Sequence, residues 1–236
     1  MAVQKEIVRR INGISVQLVD GREYSKNGEF SMVLPFNGYL SLPKMTNSAY
    51  KGVREDVFRN DKLQTLTNDM LSLQRKLKLG IPQCEPKKGE PDWSYAKMSV
   101  EGPSLQPGSI VLLEHTGRPF LSATQKLLLA VMLTGTRDKD TNGLVLQETA
   151  EKCLKVAYDK KFQSISFPLE VPHHREVDFE DKAMAFYHAA WNFARKERKL
   201  PNPVKNITFY LHNVFDESLV NVAQLYFGNW FPPSKP

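Results

Sequence analysis

DFEDKAMAFYHAAWNFARK, residues 178–196, and NITFYLHNVFDESL, residues 206–219, decide how the chain is read. In the first stretch Phe179, Ala183, Phe186, Ala190 and Phe193 or Ala194 fall on one side of a helix, with His188 and Trp191 nearby. Residues 178–198 are therefore expected to form a long amphipathic helix, ended by Pro201 and Pro203. In the second stretch ITFYL (207–211) reads as a strand, and Asp216-Glu217-Ser218 opens a closing helix through Leu219, Val222 and Leu225. Working backwards, SISFPL (164–169) reads as another strand. Before it, Leu146, Ala150, Cys153, Leu154 and Ala157 form a helical stripe.

The same alternation extends towards the N-terminus. ISVQLV (14–19) alternates apolar with polar residues and meets Asp20-Gly21, so it reads as a strand closed by a turn. FSMVLPF (30–36) is nearly all apolar, as expected of a central strand covered on both faces. Leu63, Leu66, Met70, Leu73 and Leu77 step by three and four, giving a helix that Gly80 and Pro82 stop. Residues 83–106 are polar and proline-rich around Lys87-Lys88-Gly89-Glu90-Pro91-Asp92, and are expected to be a surface insertion. SIVLL (109–113) reads as a short buried strand leading into His115-Thr116-Gly117, followed by an apolar helix over 122–133 and a polar loop over 134–143. Regular strand–helix alternation predicts an α/β protein, a three-layer α/β/α sandwich with a mostly parallel central sheet, because parallel neighbours need long crossover connections. Residues 1–236 are expected to be a single such domain.

Composition narrows the function classes. Hydrophobic residues make up 41% and charged residues 25%, which excludes wholesale disorder. No apolar run approaches a membrane span, and the opening MAVQKEIVRR has no apolar signal segment, so a cytoplasmic or nuclear location and no membrane partner are expected. The formal charge of +6 favours anionic partners. Cys84 and Cys153 are too few and too far apart for a metal knuckle and read as reduced thiols.

In the order and lengths of its pieces, the second half resembles the macro domain family: ETAEKCLKVAYDKKFQSISFPL (148–169), then DFEDKAMAFYHAAWNFARK (178–196), then NITFYLHNVFDESL (206–219). In the first half ISVQLVDG looks like the family's opening strand and turn, and SMVLPFNGYLS like its second strand leading into an asparagine. The resemblance implies a macro-domain-like sandwich that binds an ADP-ribose-like nucleotide. Its implied ligand set is an aspartate after the first strand, an asparagine after the second and two glycine-rich loops whose bare backbone amides cradle a diphosphate. Asn37 falls at the asparagine position; the aspartate would fall near Arg22, with Asp20 two positions earlier and Gly21 between them. The first glycine run becomes Gly38-Tyr39-Leu40-Ser41-Leu42-Pro43-Lys44-Met45-Thr46, and the second becomes 170–177, EVPHHREV, without glycine.

Several other residues carry candidate chemistry. His173-His174-Arg175 follows a predicted central strand, where imidazole and guanidinium suit an anion or general acid–base work; Asn37, His173 and His174 are the catalytic candidates. His115, Thr116 and Gly117 end another predicted strand and are expected at the same crevice, and His212-Asn213 closes the last strand. Asp138-Lys139-Asp140-Thr141-Asn142-Gly143 matches the first half of a calcium loop, but Thr149 stands at its twelfth position, where a bidentate glutamate is needed, and no metal is expected. No G-x-S-x-G or P-loop pattern occurs, and no cofactor is expected. The tail Phe227-Gly228-Asn229-Trp230-Phe231 is expected to dock back on the domain. The function expected is a non-catalytic binding or scaffolding module for a nucleotide, nucleic acid or protein partner. The alternatives are an ADP-ribose-related hydrolase or nucleotide-processing enzyme, and a basic RNA-binding domain.

Overall fold

A computed structural model of the chain describes residues 6–20, 30–36, 70–80, 103–114, 124–132, 139–169, 177–196, 202–211 and 217–233. Among the described residues, seven strands form one sheet: β1 (Glu6–Ile11), β2 (Ile14–Asp20), β3 (Phe30–Phe36), β4 (Ile110–Glu114), β5 (Thr124–Val131), β6 (Ser164–Pro168) and β7 (Asn206–Leu211). Their spatial order is β1-β2-β7-β6-β3-β5-β4. The central pairings β2/β7, β7/β6, β6/β3 and β3/β5 are parallel, and the outermost, β1/β2 and β4/β5, are antiparallel. Three long helices, α1 (Lys139–Asp159), α2 (Phe179–Arg195) and α3 (Glu217–Trp230), pack side by side, and residues 70–76 are helical.

The strands expected at 14–19, 30–36, 109–113, 164–169 and 207–211 are present, as are the helices around 146–157, 178–198 and 219–225. Two expectations are corrected. Residues 124–131 are a strand rather than part of a helix. Leu127 to Met132 are each 0% exposed, and a short run buried on every side has no periodicity by which helix and strand differ. Helix α1 begins at Lys139, so the polar loop expected to reach residue 143 ends earlier. The calcium-type segment from Asp140 through Asn142 to Gly143 is accordingly helical backbone, with Asn142 buried, and cannot wrap a cation as a loop does. Asp138 lies outside the described residues.

The structure adds a strand at the N-terminal edge. β1 joins β2 through Asn12-Gly13, whose φ angles of 48° and 80° are those of a left-handed two-residue hairpin turn, which favours Asn-Gly. Of the insertion expected at 83–106, residues 103–106 are described and are irregular, and Pro103 O accepts the Gly80 N–H at 2.8 Å, tying the base of the excursion.

Both faces of the sheet are buried, as a three-layer fold requires. Ile207, Phe209 and Leu211 join the core cluster that contains Leu146, Cys153, Phe186 and Phe227 from the helices. Tyr210, Leu129 and Val131, equally buried, alternate to the other face. An aromatic group fastens α2 and α3 to β7: the Tyr187 ring meets Phe209 at 4.9 Å, Phe227 at 5.6 Å and Phe231 at 5.9 Å. Phe227 and Phe231 are 0% exposed, so the tail docks on the domain as expected. The closing helix buries Val220, Ala223 and Phe227 rather than Leu225, which is 60% exposed. Helix α1 ends with Lys161 at φ 57°, where the Phe162 N–H reaches back to Ala157 O and the Lys161 N–H to Tyr158 O. Buried Phe162 supplies the apolar contact that accompanies such a stop.

Candidate functional site

The topology sets where a ligand can sit. Asp20 lies beside Leu211, Pro168 beside Tyr210, and Phe36 beside Val131, so β2, β7, β6, β3 and β5 all finish at one edge of the sheet. After β3 the chain moves outward to β4 and β5, whereas after β6 it moves the other way to β7. The strand order therefore reverses between β3 and β6, and in open α/β sheets the crevice outside the carboxyl ends at such a reversal is the ligand site. At ~4.8 Å per strand, the four ends from β2 to β3 span about 14 Å, the scale of a nucleotide.

The segments that leave this edge are those that carry most of the sequence candidates. Asp20 is the last residue of β2, and the chain continues into Gly21 and Arg22. Asn37 and Gly38 follow β3, His173, His174 and Arg175 come after β6, and His212 and Asn213 follow β7. All of these except Asp20 lie outside the described residues.

His115, Thr116 and Gly117 also lie outside them, while β4, the strand before them, is described. β4 runs antiparallel to β5, with Glu114 beside Lys126 and Ile110 beside Ala130. Glu114 therefore stands at the sheet edge opposite Asp20, Phe36, Pro168 and Leu211, and β4 does not deliver the chain to the shared crevice. Only a crossover helix at 122–133 would have made β4 parallel to its neighbours, and that segment is a strand.

The helices that follow β6 and β7 open on acidic residues. Helices α2 and α3 begin after β6 and β7, and a helix start ordinarily offers free N–H groups and partial positive charge to an anion. Here the first turn of α2 carries Glu180 and Asp181, and that of α3 carries Glu217. These carboxylates offset the helix dipoles and repel further negative charge. Glu180 is additionally engaged by the Tyr226 hydroxyl, which donates to its carboxylate. That bond, a small burial effect and the charges of Glu180 and Asp181 hold the Tyr226 phenol above its ordinary pKa.

Two further concavities lie among the helices. A groove of about 1060 Å³ between α1 and α2 is bordered by Glu148, Glu151 and Asp159 and by Lys152, Lys155, Arg195 and Lys196, a nearly balanced mixture of charges in which Arg195 already lies 5.0 Å over the Trp191 ring. A smaller hollow of about 410 Å³ is bordered by Leu144, Gln147, Met184, His188 and Trp230. His188 is held in a polar clasp across the two helices. Its Nδ1 lies 2.9 Å from Gln147 Oε1, and its Nε2 lies 3.3 Å from Asn192 Nδ2. Gln147 and Asn192 both donate to Glu151 Oε1. With both ring nitrogens so occupied, His188 ties α1 to α2. The sequence signal for the clasp was the paired spacing of Gln147 with Glu151 and His188 with Asn192, one turn apart on each helix.

Cys153 is 0% exposed, and burial pushes its thiol far above the ordinary range, so it is an inert packing residue. Cys84 lies outside the described residues. Among the described residues no group of three His, Cys, Asp or Glu side chains is arranged to hold a metal, and no helix is long and apolar enough to cross a membrane.

A mixed, mostly parallel sheet buried on both faces, with its strand order reversing above a common carboxyl edge, defines a three-layer α/β fold with a crevice at that edge. The fold is that of the macrodomains. The Oceanobacillus iheyensis macrodomain with MES bound superposes with a TM-score of 0.64 at 15% identity, covering 95% of this chain and 97% of that one. The macro domain of ganglioside-induced differentiation-associated protein 2 gives 0.61 at 14% identity over 93% and 86% of the two chains. The Trypanosoma brucei macrodomain in complex with ADP-ribose gives 0.54 at 12% identity over 90% and 69%. No protein-family model matches the sequence, and no curated protein matches it either.

Proposed function

We propose that this chain is a non-catalytic binding or scaffolding module on the macrodomain fold. Its crevice is rebuilt for a partner other than a free diphosphate: a nucleotide-bearing group, a nucleic acid or a protein. The observation that carries this reading is the acidic first turns, Glu180 and Asp181 on α2 and Glu217 on α3, at the helix starts that follow β6 and β7. A diphosphate needs donor amides and positive potential there, and these carboxylates supply the opposite.

The sequence of the flanking segments agrees. EVPHHREV has no glycine, and Tyr39, Leu40, Leu42, Pro43 and Met45 stand where bare backbone would have to approach phosphate oxygens. Among the structural neighbours, one Oceanobacillus macrodomain is described with ADP and the Trypanosoma one with ADP-ribose, so the fold accommodates nucleotides at large. Asn37 and the His173-His174-Arg175 segment are the residues to line a rebuilt crevice, with Asp20, Gly21, Arg22, Gly38, His212 and Asn213 around it.

Calorimetry with ADP-ribose, alongside a hydrolysis assay on an ADP-ribosylated protein, tests the reading. The expected result is no turnover and no saturable binding of ADP-ribose in the micromolar range. Micromolar binding abolished by Asn37→Ala would show an intact nucleotide cradle and overturn the proposal.

A further inference from the structure

The two edges of the sheet present different surfaces. Residues 110–113 of β4 are half-buried throughout, whereas β1 alternates, with Glu6, Val8 and Arg10 exposed and Val8 at 40%. The backbone of β1 is equally asymmetric. The Ser15 N–H donates to Lys205 O at 2.8 Å, so the amide of Ser15 turns towards β7, and those of Ile14, Val16 and Leu18 turn towards β1. Their register partners are Ile11, Arg9 and Ile7. Hydrogen-bonded positions alternate along an antiparallel pair, so the N–H and C=O groups of Glu6, Val8 and Arg10 point away from the sheet. No described strand pairs with them.

We infer that β1 is the docking edge for a second copy of this chain, pairing antiparallel about Val8. With the two-fold axis at Val8, each Glu6 stands directly opposite Arg10 of the second copy, and Val8 stands opposite Val8. All the outward N–H and C=O groups of the three residues then find partners, and two opposite-charge cross-strand pairs form on the exposed face. Sliding the register by two residues in either direction places Glu6 or Arg10 opposite valine, dissolves both charge pairs and strands one set of backbone groups. The self-complementary register is therefore the favoured one.

Charge complementarity also selects the occupant. An arginine on an edge strand deters indiscriminate strand addition, and only a partner with a carboxylate two positions from its central residue neutralises it. A second copy of this strand has that carboxylate. Arg9 does not stand in the way. It lies on the opposite face, where its Nε donates to Phe231 O at 3.1 Å and its Nη1 to Val8 O at 2.9 Å, and a carbonyl oxygen keeps a second lone pair for the incoming N–H. Pairing one short strand buries less than the ~1,200 Å² of a stable complex, so the dimer is weak and concentration-dependent.

Sedimentation equilibrium of the whole chain from about 10 µM to about 1 mM tests this, with far-UV circular dichroism confirming that each variant is folded. The wild type is expected to pass from monomer to dimer over that range. Val8→Pro removes an outward N–H without touching the β1/β2 ladder and is expected to abolish the dimer. Glu6→Arg sets arginine against arginine and is expected to weaken dimerisation at least about tenfold, while the exchange Glu6→Arg with Arg10→Glu restores it. A wild type that stays monomeric throughout overturns the inference. So does a dimer indifferent to both Val8→Pro and Glu6→Arg, and a charge exchange that fails to restore pairing rules out the Val8 register.

Discussion

The body of the sheet and its carboxyl edge are built from different stock. In the body, Phe167, Tyr187, Phe209, Phe227 and Phe231 are each at most 1% exposed and interlock at ring distances between 4.9 and 6.5 Å. At the edge, the helix starts bear carboxylates, and the segments between strands and helices are short of glycine and full of bulky or charged side chains. The first region needs only apolar volume on the correct period, which many sequences satisfy. The second needs donors aimed at a particular ligand, which few do. A chain can therefore keep the macrodomain fold at 15% identity to a known macrodomain.

That contrast breaks most visibly if the body tolerates damage. Phe209→Ala opens a cavity among Phe167, Tyr187 and Phe231 and is expected to cost about 3–5 kcal/mol in urea unfolding. A loss under about 1 kcal/mol would mean the aromatic group is not what fastens α2 and α3 to the sheet. A smaller effect is expected from Tyr187→Phe, which keeps the ring but removes the buried hydroxyl that donates to Ala223 O at 3.1 Å, at a cost of about 1 kcal/mol.

The smallest expected effect is at the edge, and it depends on pH. The Tyr226 phenol is held above its ordinary pKa of 10.0, first by its hydrogen bond to Glu180. Because the folded protein holds this proton more tightly than the unfolded chain does, the contribution is fully present below pH ~10 and fades as pH rises through the raised value. Tyr226→Phe should lower stability slightly at neutral pH and lose less of it on alkaline titration than the wild type. Parallel wild-type and variant curves above pH ~10 would show that the Glu180 contact has no thermodynamic weight.

How much of this is legible in the sequence follows the same division. Stripes such as Leu146, Ala150, Cys153 and Ala157, or Ala183, Phe186 and Ala190, announce their helices because one face is buried and the other wet. Thr124–Val131 passes for a helix because a strand with neighbours on both sides and both faces covered loses its alternation, and with it goes the direction of β4. β1 escapes the pattern of buried strands, although Asn12-Gly13 between two alternating segments is a strong hairpin signal. At the site, sequence locates which segments leave the strand ends, since those follow from strand order. It also shows the acidic residues at the helix starts, and gives the His188 clasp only as two one-turn spacings, because which helices meet to close it depends on the tertiary packing.

The central claim is that the edge no longer serves a diphosphate, and titrating the folded chain with ADP-ribose by calorimetry at low ionic strength, where attraction to the +6 chain is strongest, tests it most directly. The account predicts no saturable heat in the micromolar range, and the same trace from Asn37→Ala. A stoichiometric micromolar isotherm that vanishes in Asn37→Ala would contradict it.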